Sequence, residues 1–167
     1  MPNWSEGSMK IRGKKQDVEK FLNEGLTAYK WNGDENTPIK HEPIVLPDEF
    51  EEFELRVNDD FGFPFHIDDT NRAFIEPGYY MSFPLVSSNG KADVVGTILN
   101  FRQAWGIRPN ELTDICQKYK LDMKVETTEC GGRFTEYYEY VNGSVTYQSK
   151  DDYKDWFWEV RNPFDGG

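Results

Sequence analysis

The chain is poor in the residues from which most enzyme chemistry is built. Two cysteines, Cys116 and Cys130, and two histidines, His41 and His66, occur among 167 residues. Two cysteines are too few for a disulfide scaffold, and neither has zinc-ligand spacing, so both are expected to be small buried hydrophobes. The histidines are far apart. His66-Ile67-Asp68-Asp69 offers one imidazole and two carboxylates, a weak basis for a metal, and a surface or packing role is expected. No glycine-rich phosphate loop is present: Glu129-Cys130-Gly131-Gly132-Arg133 lacks both the strand-to-helix context and the Lys-Ser/Thr pair. No base is identifiable that would activate Cys130 as a nucleophile. Long apolar runs are missing as well. None approaches the ~20 residues that cross a bilayer, and the first seven residues hold no signal-peptide core. These absences predict a cytoplasmic, non-catalytic protein with no cofactor and no metal.

Positive charge is also scarce, with 19 Lys and Arg against 30 Asp and Glu and a net charge of -11. That balance disfavours a protein that works by broad phosphate neutralisation. The excess is local. Between Trp31 and Thr70 stand twelve acids and two bases, Lys40 and Arg56, which leaves a near-neutral remainder of 18 acids and 17 bases. Pro38, Pro43, Pro47 and Pro64 keep much of this stretch from regular helix. Ile44, Phe50, Phe53, Leu55 and Phe61 make it too apolar for a disordered tail. The expectation is one domain over residues 1–167 with an ordered, β-rich acidic insertion at about 32–96. Its candidate partner-binding residues are Glu49, Glu51, Glu52, Glu54, Asp59 and Asp60.

What the chain has in quantity is aromatic residues: 12 Phe, 9 Tyr and 5 Trp. Each buries a large area, enough for a core in a chain of this size. Ser8 to Gly13 alternates as a half-buried strand does. Val18, Phe21, Leu22 and Leu26 then recur on one helical face, with Asp17 in the first turn and Gly25 near the end. Beyond the acidic stretch, Arg72 to Ile75 and Tyr79 to Leu85 read as short strands, and Val94 to Phe101 as another. Pro109 suits the first position of a second helix, whose apolar face is Leu112, Ile115, Cys116 and Tyr119. Leu121, Met123 and Val125 alternate in the next strand. Arg133 to Val141 and Ser144 to Ser149 form a hairpin about Asn142-Gly143, and Asp151 to Phe164 holds a short closing helix.

The order predicts an α+β protein with a ferredoxin-like, split βαβ antiparallel sheet covered on one face by two helices. In the strand Arg133 to Val141, Phe134, Tyr138 and Tyr140 share one face and Thr135, Tyr137 and Glu139 the other. An open sheet face with aromatics is how some domains stack unpaired bases. A single-stranded nucleic-acid module is therefore the alternative reading. Trp4 and Trp105 are expected to seal core edges.

Two stretches carry a resemblance. One is Pro2-Asn3-Trp4, the strand Ser8 to Gly13 and the helix through Phe21. The other is Asn100-Phe101-Arg102-Gln103-Ala104-Trp105-Gly106, the proline-started helix and Gly131-Gly132-Arg133-Phe134 with its hairpin. Together they resemble the YubB-like ferredoxin-like family of phage and plasmid accessory proteins, over roughly half the chain. Ser5 departs from the family's common opening, where a Cys is expected. The resemblance implies a ferredoxin-like fold and a mobile-element origin, and brings no catalytic residues. With the acidic stretch it implies an accessory protein acting by protein–protein contact on a bacterial host protein with a basic surface. An inhibitor of a CRISPR effector or restriction enzyme is one specific form of that expectation.

Overall fold

The structure is a computed structural model. It describes residues 3–31, 36–39, 41–44, 52–57, 64–76, 82–88 and 91–166; side chains are described outside 29–63, 77–83 and 88–92. The elements are β1 (Trp4–Lys14), α1 (Lys15–Glu24), β2 (Leu26–Trp31), β3 (Asn36–Ile39), β4 (His41–Ile44), β5 (Glu52–Val57), β6 (Phe65–Ile67) and β7 (Ala73–Glu76). They continue with β8 (Ser82–Pro84), β9 (Val86–Ser88), β10 (Lys91–Ala104), α2 (Pro109–Tyr119), β11 (Asp122–Glu129), β12 (Phe134–Val141), β13 (Ser144–Asp152) and α3 (Trp156–Glu159).

The protein is α+β, with few helices and a mostly antiparallel sheet. Ten strands form the large sheet, in the order β13-β12-β11-β1-β10-β7-β6-β2-β3 with β9 on the side of β10. A second sheet of three strands runs β4-β5-β8. The sheet is much wider than the four strands of the expected arrangement. Strand β2, which follows α1, is separated from β10 by the β6–β7 pair. The cause is legible in burial: Phe65, Ile67, Ala73 and Ile75 are all fully buried at every second position. Such a period-two apolar face must pair into a sheet over a core. The expected insertion at about 32–96 thus contributes β6 and β7 to the main sheet.

One face of the large sheet is the core. Met9 and Ile11 of β1 face inward, opposite Leu99 and Thr97 of β10 and Val125 and Met123 of β11. Helix α1 lies against β1 and β10, and α2 against β12 and β13. The helices bury Val18, Phe21 and Leu22, and Leu112, Ile115, Cys116 and Tyr119. Phe21 and Tyr119 meet edge to face at 5.3 Å. Phe21 is wholly inaccessible, so its truncation to Ala is worth about 3–5 kcal/mol. Helix α2 starts at Pro109 and ends at Lys120, which takes a left-handed conformation. Asn142 (φ 52°) and Gly143 (φ 68°) supply the two positive φ values of a tight hairpin turn between β12 and β13. No helix among the described residues is long and apolar enough to cross a membrane.

Candidate binding site on the outer sheet face

Because side chains alternate along a strand, the second face of the sheet carries the even-numbered residues of β1 and β10. Trp4 pairs with Ala104, Glu6 with Arg102, Ser8 with Asn100 and Lys10 with Ile98. In β7, Phe74 lies opposite Arg102 and Glu76 opposite Asn100. At one end of this face the rings and cations converge. The Arg102 guanidinium sits 4.7 Å from the Trp4 ring centroid and 5.6 Å from that of Phe74. Trp4 and Phe74 meet edge to face at 5.8 Å, and His66 packs on Phe74 at 5.3 Å. Arg72 lies 5.5 Å from Trp4 and 5.5 Å from Trp105.

Two backbone positions in this cluster are strained. Arg72 (φ 58°) and Trp105 (φ 64°) both occupy the left-handed region, which costs a non-glycine residue about 1–3 kcal/mol. Hydrogen bonds hold them there. The Ala104 amide donates to the Arg72 carbonyl at 3.2 Å, and the Trp105 amide donates to the Asn3 carbonyl at 2.8 Å. The following loop is pinned by side chains. Ile107 N–H donates to Glu136 at 2.8 Å, and Arg108 N–H donates to the Gln103 amide oxygen at 3.0 Å. Glu111, in the first turn of α2, accepts from Gln103 and from the Asn71 amide, each at 3.0 Å. The network fixes both the 71–72 turn and the 105–108 loop against one helix start.

The result is an aromatic held out into solvent. Trp105 is 58% exposed, which overturns the expectation that it seals a core edge; Trp4 is half-buried. Arg102 pairs with Glu76 at 2.9 Å, yet its Nε is buried without a hydrogen-bond partner among the described residues. Among the described residues Arg72 makes no ion pair, and the guanidinium of this exposed residue lies against two ring faces. Farther along the face, Tyr137 packs on Tyr147 at 5.8 Å and donates a hydrogen bond to Glu139. Lys124 donates to the same carboxylate at 2.7 Å. That bond, then the Tyr137 hydroxyl, holds the Glu139 carboxyl below its ordinary range, and Glu139 raises Lys124 in return.

The expected histidine and cysteine roles can be placed. His66 Nε2 lies 3.0 Å from the Thr70 carbonyl, a packing position, and His41 lies where side chains are not described. Cys116 is fully buried, and burial pushes its thiol up to about 12. Cys130, expected to be buried, is half-exposed. Among the described residues no group of three or more His, Cys, Asp or Glu is placed to hold a metal. Glu49, Glu51, Asp59 and Asp60 lie outside the described residues; Glu52 and Glu54 fall on β5, where the backbone alone is described.

Sequence reasoning missed Arg72, Phe74 and Arg102. A faint signal for Phe74 existed: Ala73 and Ile75 flank it at the inward period, which leaves Phe74 pointing out. No protein-family model matches this chain, and no curated protein or solved structure matches it significantly.

Proposed function

We propose that this chain is a non-catalytic binding module that acts by protein–protein contact, with the Arg72–Trp105 end of the outer sheet face as the centre of its interface. The observation that carries the reading is the pair of strained positions presenting, side by side, an exposed Trp and an Arg without an ion pair among the described residues. Strain of this kind persists where the surrounding structure over-determines it, and it concentrates at functional sites. Trp and Arg are also the residues that dominate binding energy at protein interfaces. The acidic stretch from Trp31 to Thr70 supplies complementarity to a basic partner, which raises on-rate and selects against wrong partners.

The finer reading is a ferredoxin-like accessory protein of a phage or plasmid, of the YubB-like kind, working in the bacterial cytoplasm. Its partner is a host protein with a basic surface, in one form a CRISPR effector or restriction enzyme. Support for the fold comes from the antiparallel trio β11-β1-β10, with α1 directly after β1 and α2 directly before β11. Support for the origin rests on the resemblance of the two chain ends.

Capture from a bacterial lysate on the immobilised chain tests the reading, with Arg72→Ala/Trp105→Ala as the matched control. A protein retained by the wild type and lost by a control of unchanged melting supports it. Equal retention on both contradicts it. A second reading, single-stranded nucleic-acid binding, is favoured by Trp4, Phe74 and Tyr137 lying on one sheet face beside Arg102. Fluorescence anisotropy with a labelled oligonucleotide separates the two. Micromolar binding with a steep salt slope selects the nucleic-acid reading, and no binding at low salt removes it.

A further inference from the structure

About 20 Å along β1 from Trp4, at roughly 3.3 Å per residue, the same sheet face opens into a cleft of about 480 Å³. That volume lies in the range of small-molecule sites. Its floor is apolar: Ile98 of β10, 61% exposed, and Val86 of β9, 62% exposed, line it together with Pro84. Gly96 keeps the floor open, because it pairs with both Arg12 and Val86 and adds no side chain between them.

The charges around this floor do not cancel. Arg12 is committed to Asp122, its guanidinium donating at 2.5 Å. Lys124 is committed to Glu139 at 2.7 Å. Lys10 also lines the cleft, is exposed, and makes no ion pair among the described residues. It stands directly opposite Ile98 on one side and Lys124 on the other. Like charges directly opposite on one sheet face repel, at a cost that an anion between them relieves. Among the described lining residues, three cations against two carboxylates leave a single positive charge over an apolar floor.

We propose that this cleft is a binding site for a small amphipathic carboxylate, its aliphatic or aromatic body lying on Ile98 and Val86 and its carboxylate accepting a hydrogen bond from the Lys10 ammonium. A dianion is disfavoured, because the remaining two cations are already paired. A neutral ligand of the same body loses the charge-assisted bond. The site is separate from the Arg72–Trp105 cluster and does not rest on the protein-binding reading, so either can fail alone.

The test is a titration of the full chain with 2-naphthoate and, separately, with neutral 2-naphthalenemethanol, followed by amide shifts in ¹⁵N–¹H correlation spectra. Saturable shifts centred on Lys10, Ile98 and Lys124 are expected, with the carboxylate bound about tenfold more tightly than the alcohol. Lys10→Gln should remove that preference while keeping weak binding of both probes, and Ile98→Ser should weaken both. Spectra of each unliganded variant report whether the fold is kept. Equal affinity for the two probes overturns the proposal, as does a carboxylate preference that survives Lys10→Gln. Shifts centred on the exposed rings of Phe157, Trp158 and Phe164, or no saturation, also overturn it.

Discussion

The Arg72 guanidinium stands equally far, 5.5 Å, from the ring centroids of Trp4 and Trp105, so one cation joins the start of β1 to the loop after β10. Neither tryptophan is a core residue, and the hydrogen bonds of the backbone hold Trp105 outward. Its exposure is therefore built into the fold. The same loop is tied to the sheet's far strands through Glu136, and to α2 through Gln103 and Glu111.

Glu136 is one of those ties. It is 7% exposed, accepts from the Ile107 amide and meets Lys150 at 3.3 Å. Glu136→Ala leaves a buried N–H without a partner, so a loss of about 1–3 kcal/mol is expected in urea denaturation. Protease sensitivity in the 105–108 loop should rise in parallel. An unchanged denaturation midpoint would show that the loop holds without this carboxylate.

Tyr140 carries the opposite prediction. Its ring is fully buried, its hydroxyl has no hydrogen-bond partner among the described residues, and burial pushes its phenol far above the ordinary range. Tyr140→Phe removes an unsatisfied polar atom and keeps the packing. Stability should hold or rise by about 1 kcal/mol. A clear loss would mean that the hydroxyl is paired after all.

How much of this was legible in the sequence depends on periodicity. Val18, Phe21 and Leu22, and Leu112, Ile115 and Cys116, announce their helices because one face repeats every third or fourth residue. Asn142-Gly143 announces its turn through its tolerance of positive φ. The wide sheet was not legible. Strand β7 was legible as Arg72 to Ile75, but three-residue β6 is too short for a pattern to stand above its neighbours, and the pairing of the two with β2 and β10 is long-range. The candidate site was half legible. Trp4 and Trp105 stood out, but a large aromatic reads as core unless the backbone turns it outward. Arg72 and Trp105 take the left-handed conformation although neither is itself a glycine or asparagine.

The Glu139–Lys124 pair gives a pH dependence of known sign. Glu139 lies lower in the folded chain than its unfolded value of about 4.3, so its contribution is present above that pH and is lost as pH falls through the folded value. Lys124 lies higher than its unfolded value of about 10.4, so its contribution is present below that pH and is lost as pH rises through the folded value. Between the two unfolded values the pair is intact. Stability curves of wild type and Glu139→Gln should differ at neutral pH and converge in acid below about pH 4. Parallel curves across that range would remove the pair as a source of acid sensitivity.

Thiol chemistry separates the two cysteines. Cys116 is fully buried with its pKa near 12, so it is protonated and shielded at pH 8. Ellman's reagent should label at most one thiol in the native chain and both in denaturant. Cys130→Ser should be silent until unfolding. Rapid labelling of that variant would place Cys116 at an opening in the fold.

In the proposed function, the Arg72–Trp105 end of the outer face carries binding energy while the acidic stretch steers the encounter. The measurement that tests it most directly is the affinity of the captured partner as a function of salt. It compares the wild type with Arg72→Ala/Trp105→Ala and with a chain in which Glu49, Glu51, Glu52 and Glu54 are changed to Lys. The aromatic variant should bind about 100-fold more weakly at every salt concentration, as loss of interface hot spots does. The charge-reversed chain should lose its on-rate and its salt dependence. Wild-type affinity in the Arg72→Ala/Trp105→Ala chain would contradict the account.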